Sequence, residues 1–170
     1  SCARSDLKVP VVMQMSTVEC GAACLAMILQ AHDIPATLAD CREQLAPGPK
    51  GVNALSLSAA ALEFGLRARA YSAPDRAAVE ELPLPAILHF GDNHFVVLEE
   101  RADEKVSIID PGEGRRKLRW SELLKRYSGV ALAFEPSSTP PAITPRAARP
   151  GDAVRGLLRR PDVRRLAIQL

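Results

Sequence analysis

No stretch of the 170 residues reaches the roughly eighteen consecutive apolar residues of a membrane-spanning helix, so no span is expected inside the chain. The opening residues have neither the basic nor the apolar region of a secretory signal peptide. Cysteine is sparse: the four lie at positions 2, 20, 24 and 41, with no two pairs at metal-ligand spacing. They are read as thiols of a reducing compartment rather than as a disulfide framework. There are three histidines and no internal repeat. What the chain does have is 47% apolar and 25% charged residues, which suits one soluble globular domain with a sizeable core. Its net charge of +2 conceals an asymmetry. Residues 1–140 carry 15 Lys and Arg against 18 Asp and Glu, whereas residues 141–170 carry 7 against 2. A mildly acidic body and a basic tail are different physical units.

The most informative stretch runs from Gln14 through Glu19-Cys20-Gly21-Ala22-Ala23-Cys24 into Leu25-Ala26-Met27-Ile28. Ser16 followed three residues later by Glu19 has the form of a capping box, which predicts a helix from about 17 to 31 with Ser16 as its N-cap. Cys20 then lies in the first turn, where free amides and the helix dipole favour a thiolate, the nucleophilic form. Cys24 follows one turn later on the same face. Two cysteines on an apolar helix are also ordinary core filler, so this stretch alone does not decide between chemistry and packing.

Further along, His32-Asp33-Ile34-Pro35 ends the first helix, Thr37 opens a short one through about Leu45, and Asn53 caps a third from Ala54 to Phe64 that Gly65 terminates. The period then changes. Strands are expected at 66–71, 84–90, 94–99, 106–110, 117–119 and 130–134, with helical turns at 77–82 and 120–127. Helices first, then strands joined by short turns, predict an α+β fold with an antiparallel sheet. The organisation expected is a domain over 1–136, a Pro-rich linker over 137–150 and a basic amphipathic segment over 151–170.

A catalytic cysteine needs a base, and the base an orienting group. His32 and His89 read as structural. His94 has a candidate partner: a hairpin of residues 94–100 and 104–110 with a three-residue loop at 101–103 places His94 opposite Asp110. Val96, Leu98, Val106 and Ile108 share that face, and a cysteine helix packed on it would bring Cys20, His94 and Asp110 together. Gln14, just before the helix, is placed to join the Cys20 backbone N–H as an oxyanion hole.

Taken together, Gln14, the Glu19–Ile28 run, His94-Phe95-Val96-Val97 and Ile109-Asp110-Pro111 closely resemble the bacteriocin-processing cysteine peptidase domain at the N-terminus of peptidase-containing ABC transporters. The segments around Leu82–His89 and Val130–Pro136 look most like the branch exporting peptides with nitrile-hydratase-like leaders. The resemblance covers about residues 8–136. It implies a papain-like fold and cleavage of a leader peptide after Gly-Gly, Gly-Ala or Gly-Ser. Cys20 is by this resemblance the nucleophile, His94 the general base, Asp110 its orienter and Gln14 the oxyanion-hole donor. No cofactor is implied beyond ATP at a nucleotide-binding domain outside this chain, and no metal or nucleic acid. The implied partners are an amphipathic leader helix and the membrane and ATPase parts of a transporter, at the cytoplasmic side of a bacterial inner membrane. His32-Asp33 departs from the aromatic residue and glycine that end the first helix in many members, which bears on leader preference. Two other readings stand beside this one. One is a non-catalytic leader-binding domain. The other is a metal or redox module on Cys20 and Cys24, which the Cys-x-x-x-Cys spacing disfavours.

Overall fold

A computed structural model describes residues 7–46 and 51–145. Cys2, the end of the loop at 47–50 and the basic segment 151–170 lie outside the described residues. Three helices come first: α1 (Cys20–Ala31), α2 (Leu38–Leu45) and α3 (Ala54–Glu63). Then follow β1 (Leu66–Ser72), α4 (Arg76–Glu80), β2 (Ala86–Phe90), β3 (His94–Arg101), β4 (Lys105–Asp110), β5 (Gly114–Arg119), α5 (Trp120–Arg126) and β6 (Tyr127–Pro136). The local signals act as expected. Thr37 and Asp40 form a reciprocal capping box on α2, Asn53 accepts from the Ser56 amide at the start of α3, and Gly65 takes a positive φ of 93° past the end of α3.

The six strands form one antiparallel sheet in the order β1-β6-β2-β3-β4-β5. It is covered on both faces. On one, α1 packs with α2 and α3 over Ile87, Phe95, Val97, Ile109, Leu132 and Phe134. On the other, Val79 and Leu82 from the α4 region and Trp120 and Leu123 of α5 cover Leu88, Val96, Leu98, Val106 and Ile108. All of α1 except Gln30 is buried, as an apolar run without a polar stripe requires. The helix therefore sits on the face opposite to the expected one. The residues at 96, 98, 106 and 108 are apolar because α4 and α5 need that surface. The Pro-rich stretch at first stays with the body: Ser137 N–H donates to the Gly65 carbonyl and Ile143 N–H to that of Glu63.

Two local expectations are corrected. Helix α1 begins at Cys20 rather than near 17, because Glu19 bends back and its carboxylate accepts the Met15 and Ser16 amides at 2.9 and 3.0 Å. Only the Glu half of the predicted box forms, and Ser16 is not the N-cap. The β3–β4 hairpin also differs. The Ala102 N–H bonds the Lys105 carbonyl at 2.8 Å, leaving a two-residue loop of Asp103 and Glu104. Arg101 pairs with Val106 and Glu100 with Ser107. The register then shifts at Glu99, so that Leu98 pairs with Ile108 and Val97 with Ile109. Continued one step, Val96 lies opposite Asp110, and His94 is a diagonal neighbour of Asp110 rather than its facing partner.

Candidate active site

The site forms where the N-terminus of α1 meets the ends of β3 and β4. Cys20 is the first residue of α1 and only 4% exposed. The approach is close because residue 21 is glycine: a Cβ there would lie 2.2 Å from Val52 Cγ2. His94 opens β3 and Asp110 closes β4. Their side chains meet, His94 Nε2 to Asp110 Oδ1, at 2.9 Å. Asp110 is also held by the Gly112 amide at 2.9 Å. With Nε2 engaged, Nδ1 is the ring nitrogen left for sulphur, and His94 hydrogen-bonds Cys20.

The electrostatics follow from these contacts. Burial acts to raise the Cys20 thiol, but the hydrogen bond with His94, the Phe95 backbone amide and the imidazolium charge bring it below its ordinary value. His94 is pushed up to about 10, first by its bond to Asp110 and then by Cys20, against burial. Asp110 is held below the usual carboxylate range: burial opposes this, and the bonds from His94 and the Gly112 amide outweigh it. All three shifts favour a thiolate–imidazolium pair braced by a carboxylate. Cys24 is fully buried, and burial pushes its thiol well up, with the Cys20 and Asp110 charges adding to the rise. The two cysteines of α1 are thus electrostatically unlike, which speaks against treating them as one ligand pair.

Gln14 lies beside the turn that follows Asp110. Its backbone N–H donates to the Pro111 carbonyl at 2.9 Å, tying the segment before α1 to the turn after Asp110. Its Nε2 is 3.8 Å from where a Cβ on Gly112 would stand. The structure thus brings His94 to both Cys20 and Asp110, and sets Gln14 against the turn that follows Asp110. The other histidines lie elsewhere: His89 bonds Ser128 at 2.8 Å on β2, and His32 follows the end of α1. Sequence reasoning missed Arg42, whose guanidinium pairs with Glu19 at 2.6 Å, and the bulge at Glu99. Neither carries a local motif that would have marked it.

The peptidase C39 family matches residues 8–139. The probable microcin-H47 secretion/processing ATP-binding protein MchF of Escherichia coli is 34% identical over 131 residues, which are 77% of this chain and 19% of that protein. The probable functional amyloid protease FapD of Pseudomonas aeruginosa is 31% identical over 134 residues, 72% of this chain and 58% of that protein. The chain spans about a fifth of the length of the secretion proteins it matches. Among solved structures, a double glycine motif protease from an AMS/PCAT transporter, in complex with the leader peptide, superposes with a TM-score of 0.75 at 36% identity, over 79% of this chain and 96% of that one. The peptidase domain of Streptococcus ComA, at 21% identity and a TM-score of 0.69, shares the fold. With a nucleophile-type cysteine at a helix N-terminus and these likenesses over the whole body, the chain belongs to the peptidase C39 family and is a cysteine peptidase of papain-like fold.

Proposed function

We propose that this domain removes the leader from a ribosomally made peptide precursor, cutting after a double-glycine-type motif, as the peptidase part of an ABC exporter at the cytoplasmic side of a bacterial inner membrane. The observation that carries this reading is the Cys20–His94–Asp110 arrangement, with His94 bonded to both neighbours and Gln14 beside it. The Cys20 thiolate attacks the carbonyl of the second small residue of the motif. The developing oxyanion is met by the Gln14 side-chain amide and the Cys20 backbone N–H. His94, as imidazolium, protonates the leaving amine, and the leader remains as a thioester on Cys20. His94, now neutral, takes a proton from water, which attacks the thioester and frees the leader. Asp110 keeps the ring oriented and its cation stabilised throughout. The cleavage chemistry needs no cofactor. Assignment to the nitrile-hydratase-leader branch rests on the motif likeness alone.

The leader is an amphipathic helix on this reading, and α3 offers a surface of the right kind. Leu55, Ala59 and Leu62 are exposed at helical spacing, Leu55 at 79% and Leu62 at 42%, beside a groove lined by Gln44, Leu45, Ser56 and Ala60. Such a stripe suits the helix-in-groove mode of recognition.

The test is mass spectrometry of a precursor with a helical leader ending in Gly-Gly or Gly-Ala, incubated with the domain and with Cys20→Ala. Cleavage directly after the pair, lost in Cys20→Ala, is the expected result. Binding without cleavage in the wild type would make the domain a leader receptor instead. Charged replacements at Leu55 and Leu62 are expected to raise KM and leave kcat, whereas an unchanged KM removes α3 from the leader site.

A further inference from the structure

Glu19 is an acid buried beside a nucleophile, a costly place for a carboxylate unless its oxygens are occupied. It is 7% exposed, and its carboxylate bonds the segment leading into α1 and pairs with Arg42 of α2. Oε2 accepts the Met15 amide at 2.9 Å and the Ser16 amide at 3.0 Å. Oε1 pairs with Arg42 Nε at 2.6 Å, and Arg42 Nη2 reaches Met15 Sδ at 3.7 Å. These bonds hold the carboxyl ionised although burial opposes it. The segment from 14 to 20 is thus pinned at three points. Gln14 N–H is fixed to the Pro111 carbonyl, the Met15 and Ser16 amides to Glu19, and the last residues to α1 through the Ala23 N–H bond to the Glu19 carbonyl. Its two ends are Gln14 and Cys20, the two donors assigned to the oxyanion.

We propose that Glu19, neutralised by Arg42, is a positioning residue that sets the distance between the Gln14 side-chain amide and the Cys20 backbone N–H. This rests on the roles given above to Cys20 and Gln14. Glu19 touches neither the sulphur nor the imidazole, so it acts on the oxyanion and not on the thiolate. Rigid spacing matters because misplacement of such a donor by about 1 Å costs on the order of a hundredfold in rate. Six residues of unpinned loop would not hold that spacing.

The experiment is a kinetic cycle on a Gly-Gly precursor with wild type, Glu19→Ala, Gln14→Ala and the double variant, beside alkylation of Cys20 by iodoacetamide, which needs the thiolate but no oxyanion hole. Glu19→Ala is expected to lower kcat about 10- to 100-fold, with KM and the alkylation rate within about twofold of wild type. Gln14→Ala should cost little further in that background, because both changes remove the same interaction. Glu19→Gln, which keeps an acceptor for the two amides, is expected to recover most of kcat. Should Glu19→Ala not fold, Arg42→Met in the same cycle leaves the acceptor bonds and removes the cation, and should show the same non-additivity with Gln14→Ala. Losses that multiply in the double variant, or an alkylation rate that falls with kcat, overturn the proposal. Cleavage that survives Cys20→Ala overturns the reading of the site itself, and is distinguished from the former by that single control.

Discussion

His94 and Asp110 share a face of the sheet because of one extra residue between them, Glu99. The two-residue hairpin loop pairs Arg101 with Val106, and that register carried straight through would put Val97 opposite Asp110 and His94 on the other face. The shift at Glu99 moves the pairing by one, to Val97 with Ile109, and returns His94 to the side of Asp110. The pair is diagonal, a longer separation than facing residues have, and the imidazole spans it to give the 2.9 Å contact. Glu99 is itself secured by Ser107 at 2.8 Å and Arg115 at 2.6 Å.

Asp110→Asn should test that contact. Loss of the carboxylate removes the first cause of the raised His94 pKa and the group that selects the ring tautomer. A fall in kcat/KM of about a hundredfold or more is expected, with an alkaline limb moved to lower pH. A variant with near wild-type kcat/KM would deny Asp110 its orienting role.

The pH dependence of cleavage and of alkylation should part company. Cys20 lies below its ordinary 9.0 and His94 at about 10, so the ion pair is the dominant form between them. Below that window the pair takes up a proton and loses its thiolate, so both reactions decline. Above about 10, His94 loses the proton that the leaving amine needs, so cleavage falls while iodoacetamide alkylation stays high. Parallel profiles through the alkaline range would show that His94 does not act as the acid.

Thiol labelling should separate the cysteines. Burial pushes Cys24 well up, and Cys41 to about 12, while Cys20 is lowered. Peptide mapping after brief native alkylation should therefore find Cys20 modified and Cys24 and Cys41 intact. Cys24→Ala, a small change in a packed helix, is expected to cleave at close to the wild-type rate. A matching loss in Cys24→Ala and Cys20→Ala would mean that both thiols take part.

Gly21→Ala should destabilise the domain through one identified clash. The new Cβ would meet Val52 Cγ2 at 2.2 Å, and Val52 is buried. Overpacking of this kind costs about 1–3 kcal/mol, seen as a lowered Tm. Val52→Ala removes the offending methyl, so the double variant should melt above Gly21→Ala alone. A double variant that melts lower still would place the strain elsewhere.

Much of this was legible in the chain. Element types follow from period and punctuation: the apolar run of α1, the Thr37 and Asn53 caps, the switch to alternation after Gly65. These are local effects, set by backbone sterics and by which amides lack partners. Cys20, His94, Asp110 and Gln14 are the candidates that the chain offers for the proposed chemistry, because few residue types suit it and their order along the chain is restrictive. What only the tertiary structure decided was how distant segments register. Which face of the sheet α1 covers depends on competition with α4 and α5 for the same strands. The Glu99 shift and the diagonal His94–Asp110 contact depend on a turn type that alternation does not specify. The Glu19–Arg42 pair joins residues 23 apart in sequence, on two different helices' ends, and no periodicity encodes such a meeting. Local propensity writes the elements; the burial of shared surfaces between them decides where the four site residues meet.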